Sequence, residues 1–181
     1  MAPPDVPDLA RIADTLARHH VDCIFVGGIA ARAHGARGLT YDVDCIPAPA
    51  PGNLDRLAAA MRELRARLRV GGLSDDEAAQ LPVQLSGATL ARMRISTWRT
   101  DAGDLDVLAE IPDRQGRLLP YEELAERASD LDLDGIALRV AALEDVIASK
   151  EWADRPKDRA ALDELRALGL PAGENEDPGD R

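Results

Sequence analysis

Phe25-Val26-Gly27-Gly28-Ile29-Ala30-Ala31-Arg32-Ala33-His34-Gly35, followed after a short turn by Leu39-Thr40-Tyr41-Asp42-Val43-Asp44-Cys45-Ile46, decides how the rest of the chain is read. The apolar run 23–26 has the length and composition of a buried strand, and it ends on a glycine pair. Small, helix-favouring residues follow at 29–34, and Gly35 and Gly38 mark a turn into a second apolar run. That run carries two acids at alternate positions. Strand side chains alternate faces, so Asp42 and Asp44 point one way while Val43 and Cys45 point into the core. Two neighbouring carboxylates repel each other, and leaving them unpaired in a partly buried site is costly. A divalent cation with oxygen ligands, magnesium first, relieves that cost.

Working outward, Asp8 is placed to cap a helix whose apolar residues Leu9, Ile12, Ala13 and Leu16 recur at helical spacing. Beyond the aspartate strand, the proline-rich 47–52 breaks regular structure. Asn53 is expected to cap a long helix carrying Leu54, Leu57, Met61, Leu64 and Leu68, ended by Gly71-Gly72. Ser74 to Glu77 reads as a short helical start stopped by Pro82. From Leu90 the alternation becomes strand-like, and residues 93–98 and 104–108 form a hairpin about Asp101-Ala102-Gly103. Its returning strand again has two acids on one face, Asp104 and Asp106. Residues 121–128 read as helix, 136–140 as a short strand, and 142–152 and 159–168 as helices. The expected organisation is a core at 1–112, a mainly helical part at 113–170 packed on it, and a disordered acidic tail at 171–181.

Composition narrows the function classes. No apolar run reaches the roughly 18 residues of a membrane span, and the first residues lack a basic, apolar leader, so a cytoplasmic protein with no membrane role is expected. Cys23 and Cys45 read as buried thiols, although adjacent strands would allow a bridge. A net charge of -11 argues against broad nucleic-acid binding. Between residues 53 and 100, however, eight arginines face five acids, a pattern that suits either a polyanionic substrate or a solvated helix face. Phosphate-loop, zinc-helix and nucleophile-elbow motifs are absent from the sequence. Lys150 and Lys157 are the two lysines among 22 basic residues. In so arginine-rich a chain, a lysine marks either a site that needs a compact ammonium or a helix-end cation. His34 reads as a polar group closing a helix.

Strand, glycine pair, helix, Asp-x-Asp strand and a later strand with a third acid together resemble the nucleotidyltransferase superfold typified by DNA polymerase beta. Residues 26–35 and 39–44 resemble the bacterial toxin branch of the AbiEii type. Gly103 to Leu108, Ala148 to Glu151 and Arg155 to Asp158 fit the same branch. One departure is that Gly38 stands where relatives often carry an arginine two residues before the threonine, with Arg37 beside it. The resemblance implies an α/β nucleotidyltransferase fold, with a mixed sheet flanked by helices and a helical C-terminal extension. It implies a magnesium-dependent enzyme, using two ions, that moves a nucleoside monophosphate from an NTP to RNA such as a tRNA 3′ end, restrained by an antitoxin protein. The site it implies has Asp42, Asp44 and Asp106 as metal-holding catalytic acids, with Asp106 preferred over Asp104. Gly27, Gly28, Thr40 and Lys150 are implied to hold the nucleotide, Lys150 with a catalytic part. The second reading is an antibiotic nucleotidyltransferase, whose cationic aminoglycoside substrate would suit the acidic chain. The third is a nucleotide-binding module of the same fold without catalysis.

Overall fold

A computed structural model describes residues 6–169, so the expected tail at 171–181 lies outside the described residues. In chain order the elements are α1 (Leu9–Arg18), β1 (Cys23–Phe25), α2 (Gly27–Ala33), β2 (Asp42–Pro47), α3 (Pro51–Glu63), β3 (Arg67–Arg69), α4 (Asp75–Ala79) and α5 (Gly87–Leu90). They continue with β4 (Ile95–Thr100), β5 (Gly103–Leu108), β6 (Glu110–Pro112), β7 (Leu118–Pro120), α6 (Tyr121–Ala125), β8 (Ser129–Leu133), β9 (Ile136–Val140), α7 (Leu143–Ala153) and α8 (Pro156–Gly169). Seven strands form one mixed sheet in the order β3-β4-β5-β2-β1-β9-β8, and β6 and β7 form a separate hairpin. The α/β sheet flanked by helices is thus the architecture expected.

Register decides what each face carries. Leu68, Trp98, Leu105 and Val43 lie side by side across β3, β4, β5 and β2. Trp98, Leu105 and Val43 are buried, Leu68 packs against the core, and α3 supplies the buried Leu57 and Met61. The opposite face holds the row Arg69, Thr97, Asp106, Asp44 and, beside it, the row Arg67, Arg99, Asp104, Asp42. Because side chains alternate along each strand, the apolar face fixes the register and the register puts the acids together.

Several local expectations differ from the structure. Asn53 does not cap α3, which starts at Pro51 behind Ala50. Its buried amide instead ties the proline-rich loop, accepting from the Asp22 amide and donating to the Asp22 and Ala48 carbonyls. The helix ends at Glu63, and Arg65 takes a left-handed backbone (φ 55). Leu68 then sits in edge strand β3, paired with Trp98 and packed against the core. Residues 113–169 are less helical than expected: β8 and β9 extend the main sheet, with β9 parallel to β1. Asp8 does cap α1 through the Arg11 amide, and His34 caps α2 while its ring meets the Ala141 carbonyl at 2.8 Å. Cys23 and Cys45 are free, buried thiols.

Candidate active site

Asp42 and Asp44 come from β2, and Asp106 comes from its parallel neighbour β5, where it is the direct register partner of Asp44. The three offer carboxylate oxygens that all lie within 4.8 Å of one another. The electrostatic result is severe. Burial, then repulsion from Asp42 and Asp106, pushes Asp44 up to about 7, against the pull of Lys157 and Lys150. Burial also raises Asp106, opposed by a hydrogen bond with Thr97 and reinforced by Asp42 and Asp104. One Asp106 oxygen, Oδ1, is buried with no hydrogen-bond partner. A buried carboxylate oxygen lacking a donor is expensive, and a hard divalent cation with oxygen ligands is the group that fits it. Asp42, Asp44 and Asp106 are therefore the residues able to hold one. Asp104, the acid nearer the turn, shares the face but is already neutralised, since Arg69 and Arg99 bridge to it.

The glycine pair is explained by the same acids. Gly27 has φ +60, and a methyl there would collide with the Asp44 carboxylate. A methyl on Gly28 would collide with the Thr40 hydroxyl. The glycines thus let the start of α2 close down on β2 and its approach. Thr40 is buried, and its hydroxyl donates to the Asp42 backbone oxygen and carboxylate, both at 3.0 Å. It holds Asp42 in place.

Beside the acids opens a cavity of about 380 Å³, bordered by Gly27, Gly28, Thr40, Asp42 and Asp44 on one side. Lys150 from α7, Arg155 from the link between α7 and α8, and Lys157 from the start of α8 close the other side. Such a volume suits a small-molecule ligand. Lys150 is aimed by Asp158, which is fully buried and also binds Arg155, at 3.2 and 2.5 Å respectively. Burial alone would raise the Asp158 carboxyl, but the bonds from Arg155 and Lys150 hold it below the usual range. Asp163, on the same helix, has a 95% exposed side chain and pairs with Arg166 instead.

All seven residues expected to form the site are therefore gathered around this cavity or its acids. Arg155, which was given no role, and Lys157, singled out only as one of the two lysines, join them. The scarcity of lysine pointed to Lys157, but its position beyond a proline carried no periodic signal. Among the described residues, no helix is long and apolar enough to cross a membrane.

No family model matches the chain, and no curated protein matches its sequence. Solved structures do match. The lincosamide antibiotic adenylyltransferase LnuA, solved with lincomycin bound, aligns with a TM-score of 0.60 at 11% identity, over 89% of this chain and 96% of its own. The solution structure of the antibiotic-resistance factor ANT(2″)-Ia aligns at 0.54 and 14% identity, over 88% and 86%. Its complex with adenylyl-2″-tobramycin aligns at 0.54 and 15% identity, over 88% and 91%. With the mixed sheet and its helices, these likenesses give this chain the nucleotidyltransferase fold.

Proposed function

We propose that the chain is a divalent-metal-dependent nucleotidyltransferase that moves a nucleoside monophosphate from an NTP to an acceptor hydroxyl. The observation that carries this reading is the acid trio with its orphaned Asp106 oxygen, set beside a cavity whose far wall is basic. In the reaction, the acceptor hydroxyl gives up its proton to solvent, its oxygen bonds to the α-phosphorus, the bond from that phosphorus to the bridging oxygen breaks, and pyrophosphate leaves. Magnesium bound by Asp42, Asp44 and Asp106, as two ions in the reading favoured here, would neutralise charge at phosphorus and lower the pKa of the acceptor hydroxyl. Lys150, Arg155 and Lys157 would meet the triphosphate charge across the cavity, with Lys150 held in position by Asp158. Thr40 would keep the Asp42 carboxylate turned towards the cation.

For the acceptor, the sequence resemblance supports RNA, such as a tRNA 3′ end, and a toxin held in check by an antitoxin protein. The solved structures that share the fold favour a second reading, transfer to an antibiotic. Incubation with magnesium, each labelled NTP and either total tRNA or a panel of aminoglycosides and lincosamides tests both. Label on RNA supports the first and label on a drug the second. Label that persists in an Asp42→Ala/Asp44→Ala variant would refute the metal assignment. Growth arrest on expression, relieved by a neighbouring gene product, tests the toxin reading.

A further inference from the structure

We propose that Asp104 is a positioning residue of the cation site: by clamping Arg69 it keeps that guanidinium off Asp106 and leaves the Asp106 oxygen to a metal ion. The proposal rests on the metal-holding reading of the acid trio above. It gives a task to the acid that stands beside the trio without joining it.

Strand register defines the competition. Arg69, Thr97, Asp106 and Asp44 stand in one row across β3, β4, β5 and β2. Thr97 alone separates Arg69 from Asp106 in that row, and two strand spacings come to about 10 Å between their backbones. An arginine and an aspartate extended towards each other close such a gap. Arg69 nevertheless passes over the acid of its own row and bonds to Asp104, which lies in the next row. Burial raises the Asp106 carboxyl, and Arg69 is among the groups that pull it back, so the guanidinium is within electrostatic reach. Asp106 Oδ1 is still buried with no hydrogen-bond partner. A guanidinium that near an orphaned carboxylate oxygen would ordinarily satisfy it.

Asp104 explains why it does not. Arg99, the residue directly opposite on β4, anchors Asp104 Oδ1 at 3.4 Å, and Oδ2 receives Arg69. Pairing there also costs less desolvation than pairing at a buried oxygen, since the Arg69 and Asp104 side chains stay 41% and 20% exposed. Arg67, which heads the neighbouring row, is held by Asp101 at 3.4 Å in the same manner. The arginines of β3 are thus matched by acids outside the trio, and the charge of the trio stays open to a cation. Without the clamp, Arg69 would turn to Asp106 Oδ1 and repel the metal from its ligand.

A double-mutant cycle on metal affinity tests this. Mn²⁺ is titrated, without nucleotide, into metal-free wild type, Asp104→Asn, Arg69→Met and the double variant. Binding is read from water-proton relaxation, with circular dichroism to confirm the fold. Asp104→Asn should weaken binding about tenfold, within the coupling measured between contacting charged groups. Arg69→Met alone should change it by less than about twofold, because the clamp already neutralises that charge. The double variant should return to within about threefold of wild type. Wild-type affinity in Asp104→Asn would overturn the proposal. A loss that persists undiminished in the double variant would overturn it too, making Asp104 a ligand or a support of the fold. Additive effects, with Arg69→Met alone tightening binding as much as Asp104→Asn weakens it, would reduce the pair to plain charge and also overturn it. Asp104→Ser repeats the cycle with a smaller side chain if asparagine upsets the hairpin. A wild-type protein that binds no Mn²⁺ would refute the metal reading itself, and this proposal with it.

Discussion

Replacing Asp44 by asparagine should stabilise the metal-free protein, and the gain should depend on pH in a defined way. Burial and two neighbouring acids raise Asp44 from an ordinary 3.8 to about 7. A carboxyl whose folded pKa is raised favours the folded state while protonated. That advantage is complete below the unfolded value and is lost as pH rises through the folded one. Wild-type protein in EDTA should therefore lose stability between about pH 4 and pH 7. At 1.36 kcal/mol per unit, the shift amounts to at most about 4 kcal/mol. Asp44→Asn removes the titrating group, so the variant should match wild type near pH 4 and exceed it above pH 7. Magnesium should narrow the gap at pH 8, because it binds the wild-type carboxylates and adds stability that grows with the logarithm of its concentration over its Kd. Urea unfolding at pH 4, 6 and 8, with EDTA or magnesium, reads all of this. Parallel curves for the two proteins across that range would refute the electrostatic reasoning.

Three further outcomes follow from the same geometry. Gly27→Ala forces a side chain into a left-handed backbone and against the Asp44 carboxylate, so it should cost about 1–3 kcal/mol and weaken metal binding. Wild-type stability and wild-type metal affinity in that variant would count against the packing described for α2. Thr40→Val keeps the shape but removes the donor to Asp42, so transfer should fall while stability changes by only about 1 kcal/mol. Asp158→Asn weakens the pairing of Lys150 and Arg155 at a fully buried position. It should destabilise by about 3 kcal/mol and raise the KM for NTP, whereas Lys150→Met should raise that KM with a smaller loss of stability. Equal stability losses in the two variants would show that Asp158 acts through Lys150 alone and that its pairing with Arg155 adds nothing.

Much of the site was legible because it depends on period-two alternation. Asp42 and Asp44 share a face whichever strands surround them, and the alternation within 104–108 did the same for Asp106. What alternation cannot supply is which strand pairs with which. The parallel register that sets Asp44 beside Asp106 depends on the crossover between β2 and β5. The edge strand β3 was hidden because Leu68 continues the helical spacing of Leu57, Met61 and Leu64. The left-handed turn at Arg65 breaks that helix without a glycine or proline to announce it. Strand β8, Ser129 to Leu133, alternates acids with leucines on a half-exposed edge, a weak signal in so acidic a chain. Asp158 could be read from the sequence either as an orienter of Lys150 or as one more surface acid of a charged helix. Its burial comes from the packing of α7 against α8, which local sequence does not encode.

Electron paramagnetic resonance of Mn²⁺ titrated into the protein without nucleotide, whose phosphates would themselves chelate the ion, tests the central claim most directly. Manganese stands in for magnesium at oxygen ligands, and the free ion is counted from its signal. Wild-type protein should remove Mn²⁺ from solution at micromolar to millimolar concentrations, whereas Asp106→Asn and Asp42→Asn/Asp44→Asn should leave it free. If both variants bound Mn²⁺ as tightly as wild type, the three carboxylates would not be the cation site, and a shared fold would be all that remained.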